Sequence, residues 1–177
     1  MKKIALYSVA IIAFAASCKS TGPEKEKDTK TLSLELQSKS GSNVKGKIQF
    51  TQNDDVVKMV ATMSGLKPGI HAIHIHENSD CSAADGTSAG GHWNPTHKSH
   101  GKWGSASYHK GDIGNFNVGT DGKGTITFST DEWCIGCEDE TKNIVGKSII
   151  VHEGKDDFVT QPTGDAGGRV ACTALIQ

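Results

Sequence analysis

Histidine is the residue type in this chain whose number and position most clearly suggest chemistry. The sequence has eight histidines, and most of them lie in one stretch between Gly69 and Asn115: His71, His74, His76, His92, His97, His100 and His109. Imidazole is a favoured ligand of copper and zinc. The clustering therefore predicts a metal site within or around this stretch.

The head of the stretch is predicted to be a β-strand. His74 and His76 alternate with Ile73 and Ile75, and side chains two residues apart in a strand lie on the same face. The two histidines are therefore expected on one face and the two isoleucines on the other. His71 has the same parity as the isoleucines, which favours an inward, hydrogen-bonded side chain over a metal ligand.

Two candidate ligand groups follow from these positions. The first group contains His152, which ends an apolar Ile149–Val151 run that could pair beside the His74 strand; its members are His74, His76, His92 and His152. The second offers three nitrogens and one oxygen, which suits tetrahedral zinc; its members are His92, His100, His109 and Asp112. A single histidine would more often be a surface or hydrogen-bonded side chain, as we expect for His97, but the spaced set favours metal binding.

The polar, Gly-rich segment from His76 to Asp112 needs an explanation of its own. Its roughly 36 residues are too many for an ordinary loop in a compact domain. Either the segment is disordered, or something other than an apolar core holds it. A bound metal would serve as the core of the loop.

The elements that must position these side chains are predicted to be strands almost throughout. Short alternating apolar runs are separated by turn residues such as Asn53-Asp54 and Asp121-Gly122, and no segment after residue 30 shows a convincing helical period. The runs lie around Leu32–Leu36, Val44–Phe50, Val56–Met63, Ile73–His76, Ile113–Val118, Thr125–Ser129, Ile144–His152 and Arg169–Ile176. Eight such strands predict an all-β fold, an antiparallel sandwich or barrel.

The N-terminus is predicted to be a targeting segment. Residues 1–17 have a basic start and an apolar run too short to cross a bilayer comfortably, and Cys18 follows small residues, as in bacterial lipoproteins. The alternative is a plain secretory signal with an incidental cysteine. The polar residues 18–30 are predicted to be a flexible tether, and residues 31–177 one domain. The formal net charge of −1 gives no reason to expect nucleic acid as a partner.

These motifs resemble those of the copper/zinc superoxide dismutase family over nearly all of residues 31–177. The spacings of eight, nine and three residues between His92, His100, His109 and Asp112 are similar to those of the family. The other similar motifs are His74-Ile75-His76-Glu77, Gly90-Gly91-His92-Trp93-Asn94-Pro95, Gly146 to Glu153, and Gly164 to Cys172. The resemblance implies an eight-stranded Greek-key β-sandwich or barrel with long metal-binding loops.

The resemblance also implies the role of each site residue. Copper would be held by the first group and zinc by the second, one of each per chain, with His92 bridging the two metals as an imidazolate. Asp156 would connect a copper histidine to a zinc histidine. Arg169 would guide superoxide, the substrate, and His92 would carry a proton to the outgoing peroxide. The reaction implied is dismutation of superoxide to oxygen and hydrogen peroxide.

The same resemblance implies a disulfide between Cys81 and Cys172 and lipid on Cys18. Cys134 and Cys137 then remain, and an oxidising compartment favours a local disulfide between them, with additional metal capture as the alternative. They lie in Asp131–Asn143, a segment without a counterpart in the family core. Asp165 is another departure, because it places a carboxylate near Arg169. Ser79 and Ile73 are packing changes, and Trp93 stands where the family more often has Phe.

An alternative function is a lipoprotein that stores copper or zinc without turnover, which would have no need of Arg169. The expected location is the bacterial cell envelope, on the periplasmic or outer-surface face, with a lipid anchor in the membrane. Homodimer and monomer are both compatible with the sequence.

Overall fold

Residues 29–177 are described by the computed structural model. Two of the predictions, the signal segment 1–17 and the lipidated Cys18, lie outside the described residues, as does the tether up to residue 28. The strand bounds are β1 Lys30–Ser38, β2 Lys45–Asn53, β3 Val56–Ser64, β4 Gly69–His76, β5 Gly114–Val118, β6 Gly124–Thr130, β7 Ser148–His152 and β8 Arg169–Ala174. A short 3₁₀ helix covers Thr87–Ala89. Within the described range, no helix is long and apolar enough to cross a membrane.

The eight strands close into one antiparallel barrel. Their order around the barrel is β1-β2-β3-β6-β5-β4-β7-β8. The β4, β5 and β6 strands follow one another as neighbours, while β3 lies beside β6 and β4 beside β7, which is a Greek-key arrangement. The predicted all-β fold is confirmed, and of the two expected forms the closed barrel is the one observed.

The strand predicted over Ile144–His152 is longer than the strand that the structure contains. The run Ile144–His152 was expected to be extended throughout, but β7 begins at Ser148. Ile144 is buried in a turn, where the amide of Lys147 donates to its carbonyl oxygen. The apolar character of Ile144 therefore reflects burial in the core rather than membership of a strand.

The β7 strand, and β4 from His71 onward, are buried on both faces. Ile73 and Ile75 are fully buried in the barrel core, together with Ile149 of β7. His74 and His76, on the opposite face, are also fully buried. Because a strand at the surface of a barrel normally has one solvated face, a further layer must cover this one.

That layer is the long segment between β4 and β5. The backbone of Trp93 donates to the carbonyl of Ile75 at 2.9 Å, and the amide of Ile75 donates to Gly111 at 2.9 Å. A third bond, from the amide of Gly111 to the carbonyl of Trp93 at 3.0 Å, closes the set. Trp93 itself is buried in the core. The segment is thus packed on the barrel, so it is ordered as the metal interpretation requires.

Among the residues from 29 to 177, two disulfides are formed. Cys81 in the long segment is bonded to Cys172 in β8, across a sequence separation of 91 residues. Cys134 is bonded to Cys137, with a separation of 3 residues. The first bond ties the long segment to the barrel, and the second closes a local loop.

The two disulfides should stabilise the fold to different extents. Closing a long loop removes more entropy from the unfolded chain than closing a short one, and the chain-entropy relation gives a difference of about 2–3 kcal/mol between these two loops. The double variant Cys81→Ala/Cys172→Ala should therefore lose more free energy of unfolding than Cys134→Ala/Cys137→Ala. Denaturant unfolding of the metal-free proteins measures both losses, and equal losses would contradict the expectation.

Candidate metal centre

Four histidines converge on the outer face of β4 and β7; we call them the strand group. His74 and His76 come from β4 and His152 ends β7, which pairs antiparallel with β4. His92 comes from the long segment and forms an isolated bridge with His76. One ligand atom from each of these residues lies within 4.8 Å of all the others, and each residue is at most 5% exposed. The predicted parity of His74 and His76 and the predicted approach of His152 are thus what the structure shows.

Each histidine of the strand group has one ring nitrogen bonded and one without a partner. The bonded atoms are Nε2 of His74, 2.9 Å from Asp156, Nδ1 of His76, 2.9 Å from the Gly90 carbonyl, Nδ1 of His92, 2.8 Å from Asp112, and Nδ1 of His152, 3.3 Å from the Gly167 carbonyl. The unpartnered atoms are His74 Nδ1, His76 Nε2, His92 Nε2 and His152 Nε2. An acceptor on one nitrogen fixes the N–H there and leaves a lone pair on the other.

Burial favours the neutral form of the imidazoles of His76, His92 and His152. Desolvation, followed by the neighbouring histidines, lowers the pKa of His76 well below its ordinary value. The pKa of His152 is lowered well below its ordinary value for the same reasons. Burial also lowers the pKa of His92 to about 4, although Asp112 opposes the shift. Four buried ring nitrogens without partners, in residues whose ligand atoms lie within 4.8 Å of one another, fit a copper ion.

A second set, the loop group, consists of His92, His100, His109 and Asp112, and its ligand atoms also lie within 4.8 Å of one another. The Asp112 carboxylate is fully buried. Nδ1 of His100 lies 3.0 Å from Asp112 Oδ2, and Nδ1 of His109 lies 3.2 Å from Asp112 Oδ1, yet neither nitrogen makes a hydrogen bond. Three nitrogens and a carboxylate in this arrangement fit tetrahedral zinc.

The carboxylate of Asp112 is held in its ionised form. Burial alone would raise its pKa, but the histidines of the loop group, His100 first, lower it far below the usual range. The backbone amide of His109 also donates to Asp112 Oδ2 at 2.8 Å. An ionised oxygen ligand is what zinc binding requires at this position.

Asp156 connects the two groups, as predicted. Its Oδ2 lies 2.9 Å from Nε2 of His74 and its Oδ1 lies 2.9 Å from Nε2 of His100. Burial opposes ionisation, but these two bonds, with His100 the stronger, lower the pKa of Asp156. Burial alone would lower the pKa of His100, but the carboxylates of Asp112 and Asp156 outweigh it and raise the pKa to about 9. The side-chain amide of Asn115 orients Asp156. Its Nδ2 donates to the backbone carbonyl of Asp156, and its Oδ1 accepts from the backbone amide of Asp156, each at 2.8 Å.

Gly164 makes room for this connection. A Cβ atom added there would lie 1.9 Å from Asp156 Oδ1 and 2.6 Å from His100 Nε2. The residue also has a φ of +72°, which L side chains rarely adopt. Any side chain at this position would displace the Asp156–His100 bond.

Arg169 lies at the start of β8, paired with His152 across the strands. Its Nη1 donates to the Gly86 carbonyl and its Nη2 to the Gly90 carbonyl, both at 2.8 Å. The Gly90 carbonyl therefore accepts hydrogen bonds from both Arg169 and His76. Burial lowers the pKa of Arg169, and the charge of Asp85 opposes this shift. A half-buried guanidinium so fixed is suited to holding a small anion.

The histidines outside the two groups behave as the sequence predicts. His71 is 3% exposed, and its ring nitrogens lie 2.8 Å from the carbonyls of His152 and Lys67. His97 is exposed. Sequence reasoning missed Gln161, whose side chain binds the amide and the carbonyl of His100 at 2.9 and 3.0 Å. A glutamine 61 residues away gives no local signal of such a contact.

Comparison with known proteins agrees with this geometry. The family model described as copper/zinc superoxide dismutase matches residues 44–175. Among solved structures, a double mutant of a SOD-like protein from Bacillus subtilis is 34% identical in sequence, with a TM-score of 0.73. The match covers 82% of this chain and 97% of that one. In that mutant a tyrosine and a proline are each replaced by histidine.

Asp112→Ala should separate the two groups experimentally. It removes the only oxygen of the loop group, so zinc affinity should fall by at least about a hundredfold, while the strand group keeps its four nitrogens. The segment between β4 and β5 should become more sensitive to protease. Metal analysis and limited proteolysis measure both effects, with the exposed Asp121→Ala as control. Full zinc occupancy in Asp112→Ala would show that the ligand assignment is wrong.

Proposed function

Because the chain belongs to the copper/zinc superoxide dismutase family, we propose that it dismutates superoxide to oxygen and hydrogen peroxide at a copper–zinc pair. The family is a family of oxidoreductases, and superoxide is its substrate. The strand group would hold one copper and the loop group one zinc per chain. The observation that carries the proposal is the double membership of His92, which places one ring nitrogen in each group.

The two groups suit different metals. When bound, copper supplies the one-electron chemistry, since it has two accessible oxidation states and zinc does not. The strand group offers nitrogen alone, whereas the loop group adds the ionised carboxylate of Asp112. This difference supports assigning copper to the former and zinc to the latter.

His92 is proposed to be the bridge and the proton carrier. Its Nδ1 faces Asp112, and its Nε2 is buried without a partner among the other histidines of the strand group. A cation on each side would favour loss of the ring proton. In one half of the cycle His92 takes a proton at Nε2, and in the other half it gives that proton to the outgoing peroxide.

Arg169 is proposed to bind and orient superoxide. A guanidinium has five N–H donors, and two of them are fixed by the carbonyls of Gly86 and Gly90, which leaves the others to face a small anion. Its link to His76 through the Gly90 carbonyl keeps the anion site in register with the strand group. A metal-storing protein would not need this arginine.

Substitution of Arg169 tests enzyme against metal store. Wild-type protein should react at about 10⁸–10⁹ M⁻¹s⁻¹, with a rate that falls as salt rises. Arg169→Ala should keep both metals and lose about tenfold in rate, or about 1.4 kcal/mol of barrier. Arg169→Glu should lose more, and its residual rate should rise with salt, because screening then removes repulsion.

The measurement is the rate constant at two ionic strengths for metal-replete proteins. Lys123→Ala is the matched control, because it removes one positive charge from an exposed turn and should leave the rate unchanged. Equal rates in wild type and both Arg169 variants would remove Arg169 from the mechanism. An absence of dismutation by fully loaded wild type would favour the metal store instead.

We further propose that the enzyme is a lipoprotein of the bacterial cell envelope, anchored through Cys18 and facing the periplasm or the outer surface. The supporting observation is where the barrel begins: β1 starts at Lys30, twelve residues after Cys18. A fully extended chain of that length reaches about 40 Å. The anchor would hold the barrel close to the membrane and would place it where superoxide reaches the envelope. Homodimer and monomer are both compatible with this location.

Cys18→Ser should abolish lipidation and release the protein from membranes. The serine hydroxyl cannot replace the thiol in this modification, so the variant should appear in the soluble fraction. Fatty-acid labelling and membrane fractionation of the full chain measure the effect, with Ser20→Ala as control. Soluble, unmodified wild-type protein would contradict the lipoprotein assignment.

A further inference from the structure

The segment that follows β6 contacts the zinc-binding part of the long segment. We propose that Glu132 and Trp133 are positioning residues that hold His109 in the loop group and so set the affinity for zinc. They lie in Asp131–Asn143, for which the sequence analysis found no counterpart in the family core. The inference rests on the proposed function, because it takes zinc as the metal of the loop group.

Glu132 binds the residues on both sides of His109 in the chain, Tyr108 and Lys110. Its Oε1 accepts a hydrogen bond from the hydroxyl of Tyr108 at 2.6 Å, and its Oε2 forms an ion pair with the ammonium of Lys110. The amide of Glu132 is itself fixed by Thr130 Oγ1 at 2.9 Å. One carboxylate anchored at the end of β6 therefore restrains both neighbours of a zinc ligand.

Trp133 adds a contact to the backbone. Its Nε1 donates to the carbonyl of Lys110 at 2.9 Å, and its side chain is 1% exposed. The ring packs against Phe128 of β6 at 5.0 Å between centroids and against Trp103 at 5.7 Å. Trp103 in turn lies 4.9 Å from Tyr108. The indole thus joins the barrel core to the residues around His109.

The turn from His109 to Asp112 is held on its opposite side by the barrel. The amide of Ile75 in β4 donates to the carbonyl of Gly111 at 2.9 Å, and the amide of Asp112 donates to the carbonyl of His109 at 3.1 Å. The clamp formed by Glu132 and Trp133 completes the support on the outer side. A ligand restrained from two sides needs little reordering when the metal binds.

His109 is the ligand that most needs such support. The ring of His100 is oriented directly, because its Nε2 bonds to Asp156. The side chain of His109 is 7% exposed, against 0% for Asp112 and His100. Besides the bonds of its backbone to Asp112, His109 is restrained by the clamp through its neighbours in the chain, at positions 108 and 110.

The clamp is anchored beyond Trp133 as well. The amide of Ile135 donates to Gln52 Oε1 in β2 at 2.7 Å, and Lys30 Nζ in β1 donates to the carbonyl of Ile135 at 3.0 Å. The Cys134–Cys137 disulfide closes the loop at this point. These bonds fix the chain just after Trp133 to two strands of the barrel, β1 and β2, which supports the contact of Trp133 with Lys110.

The test compares Glu132→Gln and Trp133→Phe with wild type. Glu132→Gln removes the ion pair with the side chain of Lys110. Trp133→Phe removes the indole N–H that donates to the backbone carbonyl of Lys110. Competition of a chelator with added Zn²⁺ gives the zinc dissociation constant, and the same experiment with copper reports on the strand group. Each variant should bind zinc about tenfold more weakly, the lower end of the range for partners outside the ligand shell, with copper affinity changed by less than about twofold. Glu35→Gln, an exposed glutamate of β1, is the matched control and should bind both metals as wild type does.

Two further measurements separate positioning from general stability. Co²⁺ in the loop group should show a changed absorption spectrum in both variants, because the spectrum reports ligand geometry, which a loss of overall stability does not alter. In a double-mutant cycle of Tyr108→Phe and Glu132→Gln, the losses in zinc affinity should be less than additive. Glu132→Gln decides the question if Trp133→Phe does not fold.

The possible results distinguish the clamp from the function on which it rests. Unchanged zinc affinity in the variants, or equal losses of zinc and copper affinity, would overturn the positioning role of Glu132 and Trp133 and leave the proposed function untouched. Wild-type protein that binds no zinc at the loop group would overturn both the clamp and the assignment of the zinc site. A zinc-selective loss with a changed cobalt spectrum supports the clamp.

Discussion

The structure depends on the orientation of its buried imidazoles. A buried polar atom without a partner costs about 1–3 kcal/mol, and this domain places several such ring nitrogens together. The fold tolerates them because the other nitrogen of each strand-group ring is bonded, to the carboxylates of Asp156 and Asp112 or to the carbonyls of Gly90 and Gly167. The strand group therefore has its ligand atoms within 4.8 Å of one another before any metal binds, and metal binding would relieve the desolvation cost.

The same contacts that orient the ligands also order the long segment, so metal binding and loop order are linked. The Gly90 carbonyl joins the segment to His76 and to Arg169, and the Cys81–Cys172 bond ties it to β8. An ion that binds only the ordered loop stabilises that order by mass action. The metal centre is in this sense the second core of the domain, beside the apolar core inside the barrel.

The sequence predicted those features that arise from local periodicity or from motif spacing. The parity of His74 and His76 followed from strand alternation, and the resemblance to the family gave the positions of Asp156 and the Cys81–Cys172 pair. Contacts of side chains across the fold could not be predicted, because nothing in the neighbouring sequence of Gln161 or Glu132 marks them as partners of the loop group. The same limit explains the overlong strand from Ile144, where an apolar residue is buried in a turn.

The charges around the two groups connect the proposed roles of His92 and Arg169. With two divalent cations bound, Asp112 and Asp156, both with lowered pKa values, and a deprotonated His92 would offset most of the cation charge, which would leave a positive excess beside Arg169. That sign would attract superoxide. If His92 takes up a proton whenever the site takes up an electron, the net charge is the same in both halves of the cycle. An anion is then attracted equally in each half-reaction, which a dismutase requires because its two substrates are the same anion.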